Sequence, residues 1–493
     1  MATLLRDLLQ HVPAYRLEGS GAVTISGVFC DSREVRPGGL FAAVSGGQER
    51  DRHEFVGDAV QRGAAALLVD RSVGSQPCAV VRVDDARGAL AQVAAAFYGR
   101  PGDALRLIGV TGTNGKTTTA LLVRHMLSAA GEPCGYLGTL GVQAASGNSS
   151  LRNTTPEAPV LHAELRRLVD SGHRAAVLEV SSHGLVLRRV AGLRFAVGVF
   201  TNLTRDHLDF HGTQENYLDA KGLLFASLDR EAVAVLNADD AHASALRARC
   251  AGTVVTYGRH QETDYRIEAI EPLPAGTRLR LRWKGGVLAL ETRLHGEFNA
   301  YNVAAAAACC LELGADEAAV REGLRALVRV AGRFEAVDVG QPFRVIVDYA
   351  HTPDGLCSVL RAARQLTRGR LFCVFGCGGD RDPGKRPLMG RVVEDLADVP
   401  VVTSDNPRSE DPEAIIAAIL AGMARPQAAT VDADRRAAIQ FALAQARPGD
   451  TVVIAGKGHE QGQIIGSKIF PFDDVVVARE LLTTPQVVVE ERA

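Results

Sequence analysis

Residues 109–119 read GVTGTNGKTTT, directly after the apolar run LRLI (105–108) and directly before the helix-like ALLVRHML (120–127). Strand, glycine loop and helix in that order make a cradle for a nucleotide triphosphate. Gly112 and Gly115 permit the tight turn that turns backbone N–H groups toward phosphate oxygens, Lys116 neutralises charge, and the Thr117 hydroxyl reaches a Mg²⁺ ion. The strict G-x-x-x-x-G-K-[ST] spacing is not met, because position 110 is Val110. A shorter loop remains, in which Gly112, Thr113, Asn114, Gly115, Lys116, Thr117 and Thr118 are the expected ATP contacts. The plainer alternative is a glycine turn beside a surface lysine.

Three further side chains have the chemistry to serve such a loop. Glu179 ends the apolar run AAVLEV (175–180), where a nucleotide-binding sheet offers a carboxylate to Mg²⁺ directly or through water; a solvated strand-end glutamate is the competing reading. In TNLTRDHLDFHG (201–212), His207 and His211 stand four apart. That is the spacing of two zinc ligands on a helix, but the glutamate of H-E-x-x-H is absent and Gly212 follows at once, which argues against a zinc protease. A single histidine beside magnesium and phosphate is the simpler expectation. Lys221 lies in the helix-patterned ENYLDAKGLLF, where spacing alone describes a lysine snorkelling at a surface. A half-buried lysine has a second possibility: it can lose its proton and take up CO₂, giving a carbamate that offers hard oxygen to Mg²⁺.

The elements that must position these groups alternate. From Leu105 onward the apolar runs LIGV, AAVLEV, FAVGVFTNL (195–203) and AVAVLNA (232–238) are separated by helix-length segments, the pattern of a doubly wound, mostly parallel sheet. Residues 264–296 instead alternate with period two around Gly285-Gly286, which predicts antiparallel hairpins in a small flanking β-subsheet. A helix NAYNVAAAAACCLEL (299–313) follows. Four more strands are expected at 344–350, 370–376, 399–405 and 450–456. They end in HTPDG, CGGDRDPGKR, NPRSEDP and KGHEQG, and such polar ends face one crevice in an open α/β sheet. Before all of this, VTISGVFCDSREVRPGGLFAAVSGG and the Ala-rich ALAQVAAAFYG (89–99) close at Pro101-Gly102. Three α/β domains result: 1–103, 104–336 with the central phosphate-loop sheet and its antiparallel subsheet, and 337–493, which is Rossmann-like.

Length and composition limit the partners. A chain of 493 residues has ample material for several cores, and its formal charge of −2 with 23% charged residues presents no basic field for a nucleic acid. Small diffusing substrates are expected. The segment MATLLRDLLQHVP lacks a signal-peptide core, and no run reaches the roughly 18 apolar residues of a membrane span, so a cytosolic chain with no membrane partner is expected. The nine cysteines show no paired zinc spacing and read as reduced, buried small hydrophobes.

GTNGKTT, LEVSSHG, FTNLTRDHLDFHG, FNAYN, GRFE (332–335), VDYAHTPD (347–354), FGCGGDRDPGKRP, SDNPR and AGKGHE occur in the order seen in the Mur ligases, and the chain resembles that family along nearly its whole length. The resemblance implies a domain for a UDP-sugar, a central ATPase and a C-terminal Rossmann-like domain. It implies that Lys116, Thr117, Glu179 and His207 serve ATP and Mg²⁺, that Lys221 is the carbamylated lysine (N6-carboxylysine), and that Asn302, Arg333 and Asp348 meet the nucleotide from the far side. Cys30 and Ser32 match the uridine site. Asn153, Thr154, Thr155, Ser181 and Arg189 match contacts to the muramyl dipeptide. Leu187 departs, since a glutamine is familiar there and leucine loses its polar contact.

The third substrate separates members of the family. Asp405, Asn406, Pro407 and Arg408 form the D-N-P-R of enzymes that add meso-diaminopimelate, and Arg381, Gly456 and Glu460 match the remaining contacts. A guanidinium fork holds the second carboxylate of diaminopimelate in two hydrogen bonds, and lysine has no such carboxylate. The implied reaction is amide formation through an acyl phosphate, with UDP-N-acetylmuramoyl-L-alanyl-D-glutamate, diaminopimelate and ATP as substrates, Mg²⁺ as cofactor, and the chain acting as a monomer. A lysine-adding relative, a folylpolyglutamate synthase and a phosphate-loop nucleotide switch are the rivals. The D-N-P-R motif, the extra N-terminal domain and the four polar strand ends respectively argue against them.

Overall fold

The computed structural model describes residues 2–44 and 51–484. Ser45, Gly46 and Gly47 of the first expected strand-and-turn segment, and 485–493 of the third expected domain, lie outside the described residues.

Three sheets carry the chain. The first, of five strands, runs in the order Arg16–Glu18, Ala79–Arg82, Ala66–Val69, Gly39–Ala43, Gly27–Phe29, and is parallel except at its Arg16–Glu18 edge. The Ala-rich segment forms helix Ala86–Phe97, where Asp85 caps the Gly88 N–H at 3.0 Å and alanines allow close packing.

The second sheet has eleven strands. Its parallel heart is Cys134–Gly138, Ala175–Glu179, Arg106–Thr111, Phe195–Phe200, Val233–Asn237 and Thr253–Gly258. The strands are apolar on both faces because helices cover both, Lys116–Ala129 and Glu297–Glu312 on one side and the helices Ala158–Asp170 and Gln214–Ala226 on the other. Glu297–Glu312 is apolar almost all round, and its alanines and cysteines are buried. The antiparallel expectation for 264–296 holds in strands Tyr265–Leu273, Gly276–Trp283 and Gly286–Thr292. They extend the same sheet, since Tyr265 and Arg266 pair in parallel with Tyr257 and Gly258.

The third sheet has six strands, Glu335–Ala336, Arg344–Asp348, Thr451–Ala455, Leu371–Phe375, Val399–Val402 and Thr430–Val431, parallel except for the first. Glu335 and Ala336 already belong to it, two residues before the expected boundary at 337. The strand order turns back beside Thr451–Ala455, which places the loops after Arg344–Asp348, Leu371–Phe375 and Thr451–Ala455 side by side. A hairpin, Gly462–Ile465 with Lys468–Pro471, follows the last of these loops. Among the described residues, no helix is long and apolar enough to cross a membrane.

Candidate active site

The phosphate loop forms as the residue types dictate. Gly112 has φ +150° and Gly115 φ +87°, and a Cβ at either would run into Thr201 Oγ1 or Asn302 Oδ1. Helix Lys116–Ala129 starts at the lysine, so its free N–H groups and positive end point out of the loop. The loop lines a cleft of about 620 Å³ whose walls include Glu179, His207, Asn302, Arg333 and Asp348. Thr113, Asn114, Gly115, Lys116, Thr117 and Thr118 all line it.

Glu179 is 1% exposed, so it is no solvated strand end. Its carboxylate accepts from Thr117 Oγ1 (3.0 Å), from Tyr136 Oη (2.5 Å), and from the Thr139 N–H and hydroxyl (2.9 and 3.1 Å). Lys221 is equally buried, at 1%, and the snorkelling alternative fails. Its Nζ donates to Gly112 O at 2.9 Å, where Lys116 Nζ also donates at 2.8 Å. Burial, and then the adjacent Lys116 charge, hold Lys221 well below the ordinary lysine range. A shift in that direction favours the free amine, the form that attacks CO₂.

His207 sits in the left-handed region at φ +54°, with Asp206 Oδ1 accepting its N–H at 2.9 Å. Burial lowers its ring to about 3, so the imidazole is neutral and able to bind a metal. His211 turns away to Ser182 Oγ, 2.9 Å from its Nε2. Among the described residues no three His, Cys, Asp or Glu side chains gather as a metal cluster. Of the magnesium donors expected from the sequence, Thr117, Glu179 and His207 line the cleft, whereas Lys221 is held on Gly112 O and would offer oxygen to Mg²⁺ only as the carbamate.

From the other side, Arg333 reaches Thr117 Oγ1 at 3.2 Å and lies 4.3 Å above the Tyr349 ring. Asp348 accepts the N–H groups of Phe334 (2.6 Å) and Ala350 (2.7 Å), and burial raises its pKa. Asn302 bonds Thr119 Oγ1 at 3.3 Å. The two large sheets therefore meet across the cleft. Asn114 Nδ2 donates to Asp354 at 3.2 Å, and Arg205 forks onto Asp382 at 2.9 and 3.1 Å. Asp206 lies between His351 (3.6 Å) and Lys385 (3.9 Å).

Toward the five-stranded sheet, Thr155 Oγ1 donates to Glu179 O at 2.8 Å and lies 3.0 Å from Ser181 Oγ, and Thr154 Oγ1 is 3.0 Å from Thr139 Oγ1. Arg189 donates to Thr155 O and to Glu157, each at 3.1 Å. Arg52, in the short 3-10 turn Arg52–Phe55, shares Glu157 at 3.1 Å. Asn153 is exposed beside them, and Leu187 is half-buried just after helix Ser182–Val186. Cys30 lies near Arg52 and Glu157, its thiol pushed up to about 12 by burial, and Ser32 opens the short turn Ser32–Glu34 with its side chain bonded to Asp58.

At the six-stranded sheet, the Asp405–Arg408 loop is stitched to its neighbours. Gly379 N–H donates to Asn406 O at 2.9 Å, and a Cβ on Gly379 would strike Pro407 O. Arg408, at φ +52°, donates its N–H to Ile464 O at 3.0 Å and its Nη1 to Gly379 O at 2.7 Å. Burial and the charge of nearby Arg381 lower its pKa, so two guanidinium groups stand together. Asn406 Nδ2 donates to Glu460 Oε2 at 2.8 Å. Asp405 Oδ2 is buried without a hydrogen-bond partner among the described residues, and a Cβ on Gly456 would approach it to 2.5 Å. Behind the loops, Arg435 and Asp474 form a fully buried pair at 2.7 Å, and Arg435 also donates to Ser404 O and Ala455 O, the last carbonyls before both loops.

Several contributors escaped the sequence reading: Tyr136, Thr139, Arg205, Asp206, His351, Asp382 and Lys457. Arg205, Asp206, His351, Asp382 and Lys457 stand inside the quoted motifs, so their position in a polar strand end was a signal. Tyr136 and Thr139 had none, because CGYLG does not read as a strand.

Residues 110–310 match the Mur ligase middle domain, and 332–458 match the Mur ligase glutamate ligase domain. The UDP-N-acetylmuramoyl-L-alanyl-D-glutamate–2,6-diaminopimelate ligase of Geobacillus kaustophilus is 46% identical over 482 residues, 96% of this chain and 98% of its own. The enzyme of that name from Listeria monocytogenes is 43% identical over the same shares. A solved structure of such a ligase superposes with a TM-score of 0.67 at 35% identity, covering 98% of this chain and 99% of its own. A folylpolyglutamate synthase of Mycobacterium tuberculosis superposes at 0.63 over 80% of this chain and 94% of its own, with 21% identity, a likeness of fold.

Proposed function

The chain belongs to the Mur ligase family, and from that membership we propose that it joins meso-diaminopimelate to the D-glutamate γ-carboxyl of UDP-N-acetylmuramoyl-L-alanyl-D-glutamate, driven by ATP, in peptidoglycan precursor synthesis. The observation that carries the substrate assignment is the set of charges at the six-stranded sheet. Arg408 and Arg381 stand together, with the acidic side chains of Asp405, Glu460 and Asp380 nearby and Lys457 bonded to Glu460. That set complements the carboxylate and ammonium of a second amino-acid head, and L-lysine has only the ammonium.

A carboxylate is a poor electrophile, so the γ-carboxylate first attacks the γ-phosphorus of ATP and ADP leaves. The amine of diaminopimelate then attacks the acyl carbon, and phosphate departs with the carbon–oxygen bond as the amine loses a proton. Lys116 and the loop N–H groups hold the phosphoryl oxygens, Arg333 and Asn302 hold the nucleotide from opposite walls, and Asp348 braces the turn that carries Arg333. Magnesium, held by Thr117, Glu179, His207 and a carbamylated Lys221, would draw charge from the phosphate oxygens. Thr154, Thr155, Ser181 and Arg189 would orient the dipeptide, while Cys30 and Ser32 would meet the uridine. We assign these roles to three domains, 1–103, 104–336 and 337–493, acting as a cytoplasmic monomer.

The test is the ratio of specificity constants for meso-diaminopimelate and L-lysine, in the wild type and in Arg408→Ala. Losing one member of a buried charge pair costs roughly 2–5 kcal/mol, about 30-fold to a few thousandfold. The variant should raise the KM for diaminopimelate by that order with the KM for ATP almost unchanged. A wild type that prefers lysine, or a ratio that Arg408→Ala leaves alone, overturns the substrate assignment.

A further inference from the structure

Lys457 is the second residue of the loop after strand Thr451–Ala455, and its side chain is 0% exposed. An ammonium in that position is retained only if its charge and its hydrogens are answered. Its Nζ donates to Asn406 Oδ1 and to Glu460 Oε2, both at 3.1 Å. Asn406 closes the triangle by donating Nδ2 to the same Oε2 at 2.8 Å, and its Oδ1 also accepts the Ile464 N–H at 2.9 Å. Lys457 thereby fixes the amide orientation of Asn406, because only the oxygen can face an ammonium. Both side-chain hydrogen bonds to Glu460 fall on Oε2, which leaves Oε1 of this part-exposed carboxylate to meet a ligand.

We propose that Lys457 is a positioning residue for the amino-acid substrate: it touches no substrate atom, and it presets Glu460 and Asn406 so that Glu460 receives the distal ammonium. This rests on the reading of that loop cluster as the diaminopimelate site. A fixed carboxylate pays no ordering entropy when the ligand arrives, whereas one freed of its partner must be re-ordered at each binding event. Lys457 is not among the residues that line the nucleotide cleft, so its effect should fall on diaminopimelate and not on ATP.

The experiment is a double-variant cycle on the full-length enzyme, with Lys457→Met, Glu460→Gln and both together, reading KM and kcat for meso-diaminopimelate and for ATP. Lys457→Gln is measured alongside; it keeps a donor for both acceptors without the charge and guards against a methionine variant that does not fold. We expect Lys457→Met to raise the KM for diaminopimelate at least tenfold, Lys457→Gln to recover part of this, and the KM for ATP to stay within twofold. The double variant should be no worse than Glu460→Gln alone. Losses that multiply in the double variant overturn the proposal, as does a KM for ATP that rises in parallel. If Glu460→Gln raises the KM and neither Lys457 variant does, the proposal fails while the site stands. If Glu460→Gln has no effect, the site itself is wrongly placed.

Discussion

Lys221 shows how far one residue's chemistry depends on where it is buried. Its neighbours in sequence are ordinary for a helix surface, yet it lies on the sheet-facing side of helix Gln214–Ala226 with Tyr217 4.2 Å away and Gly112 O as its hydrogen-bond partner. Burial and the Lys116 charge hold its pKa well below the usual lysine range, the direction the proposed carbamate requires. Lys221→Ala should therefore lower kcat by about 10²-fold or more, the scale of losing a positioned charge at a phosphoryl-transfer site. Short carboxylic acids added to that variant should restore part of the rate by returning an oxygen ligand. Full activity without rescue would reduce Lys221 to a packing residue.

Among the elements, helix Ala158–Asp170 carries an acid-sensitive group. His162 is 1% exposed, neither ring nitrogen has a hydrogen-bond partner among the described residues, and burial lowers its pKa to about 4, with the Arg100 charge adding to the effect. The folded value lies below the unfolded value near 6.5, so the unfolded chain binds the extra proton and stability falls as pH drops from about 6.5 toward 4. At pH 5 that linkage amounts to about 2 kcal/mol. His162→Leu should make the decline in stability between pH 7.5 and pH 5 shallower by this order, read from denaturant midpoints at both pH values. An unchanged decline would mean that other groups govern the acid limit. The site loops have a different kind of support: the buried Arg435–Asp474 pair ties down the carbonyls just before two loops, Ser404 O and Ala455 O, and so sets where the Asp405–Arg408 and Gly456–Glu460 loops begin.

At the scale of the whole molecule, the cleft is complete only where the eleven-stranded and six-stranded sheets meet. Arg205 and Asp382 form the best-aligned link between them, two parallel hydrogen bonds of 2.9 and 3.1 Å, with Arg205 41% exposed and Asp382 7%. A pair exposed on one side contributes roughly 0.2–1 kcal/mol, enough to alter how long the two walls stay together. Arg205→Ala should leave the fold intact, lower kcat by no more than about fivefold, and let water reach the acyl phosphate more often. The measurable sign is phosphate released per amide formed, which should rise above one. A ratio that stays at one would show that this link does not guard the intermediate.

The phosphate loop, the strand-end glutamate and the histidine were legible in the chain, because a glycine turn, a strand and a helix start are local properties of a few adjacent residues; the D-N-P-R loop read locally only as a polar strand end, and its substrate came from the family resemblance. The alternation that predicted a parallel sheet and the period-two pattern of 264–296 were legible for the same reason. What the sequence could not decide by itself was company. Strand Cys134–Gly138 was invisible because glycines and a cysteine replace the usual β-branched residues, and only the gap between a helix and the Ala175–Glu179 strand makes it pair. That strand brings Tyr136 to Glu179 across 43 positions, and Arg333 comes to Thr117 across 216. Lys457 lay in plain sight within a quoted motif, yet its meaning came from Asn406, 51 positions away. Local pattern sets which groups are available; burial and long-range packing set their protonation, their orientation and their partners, since both depend on the dielectric and the neighbours that only the folded chain supplies.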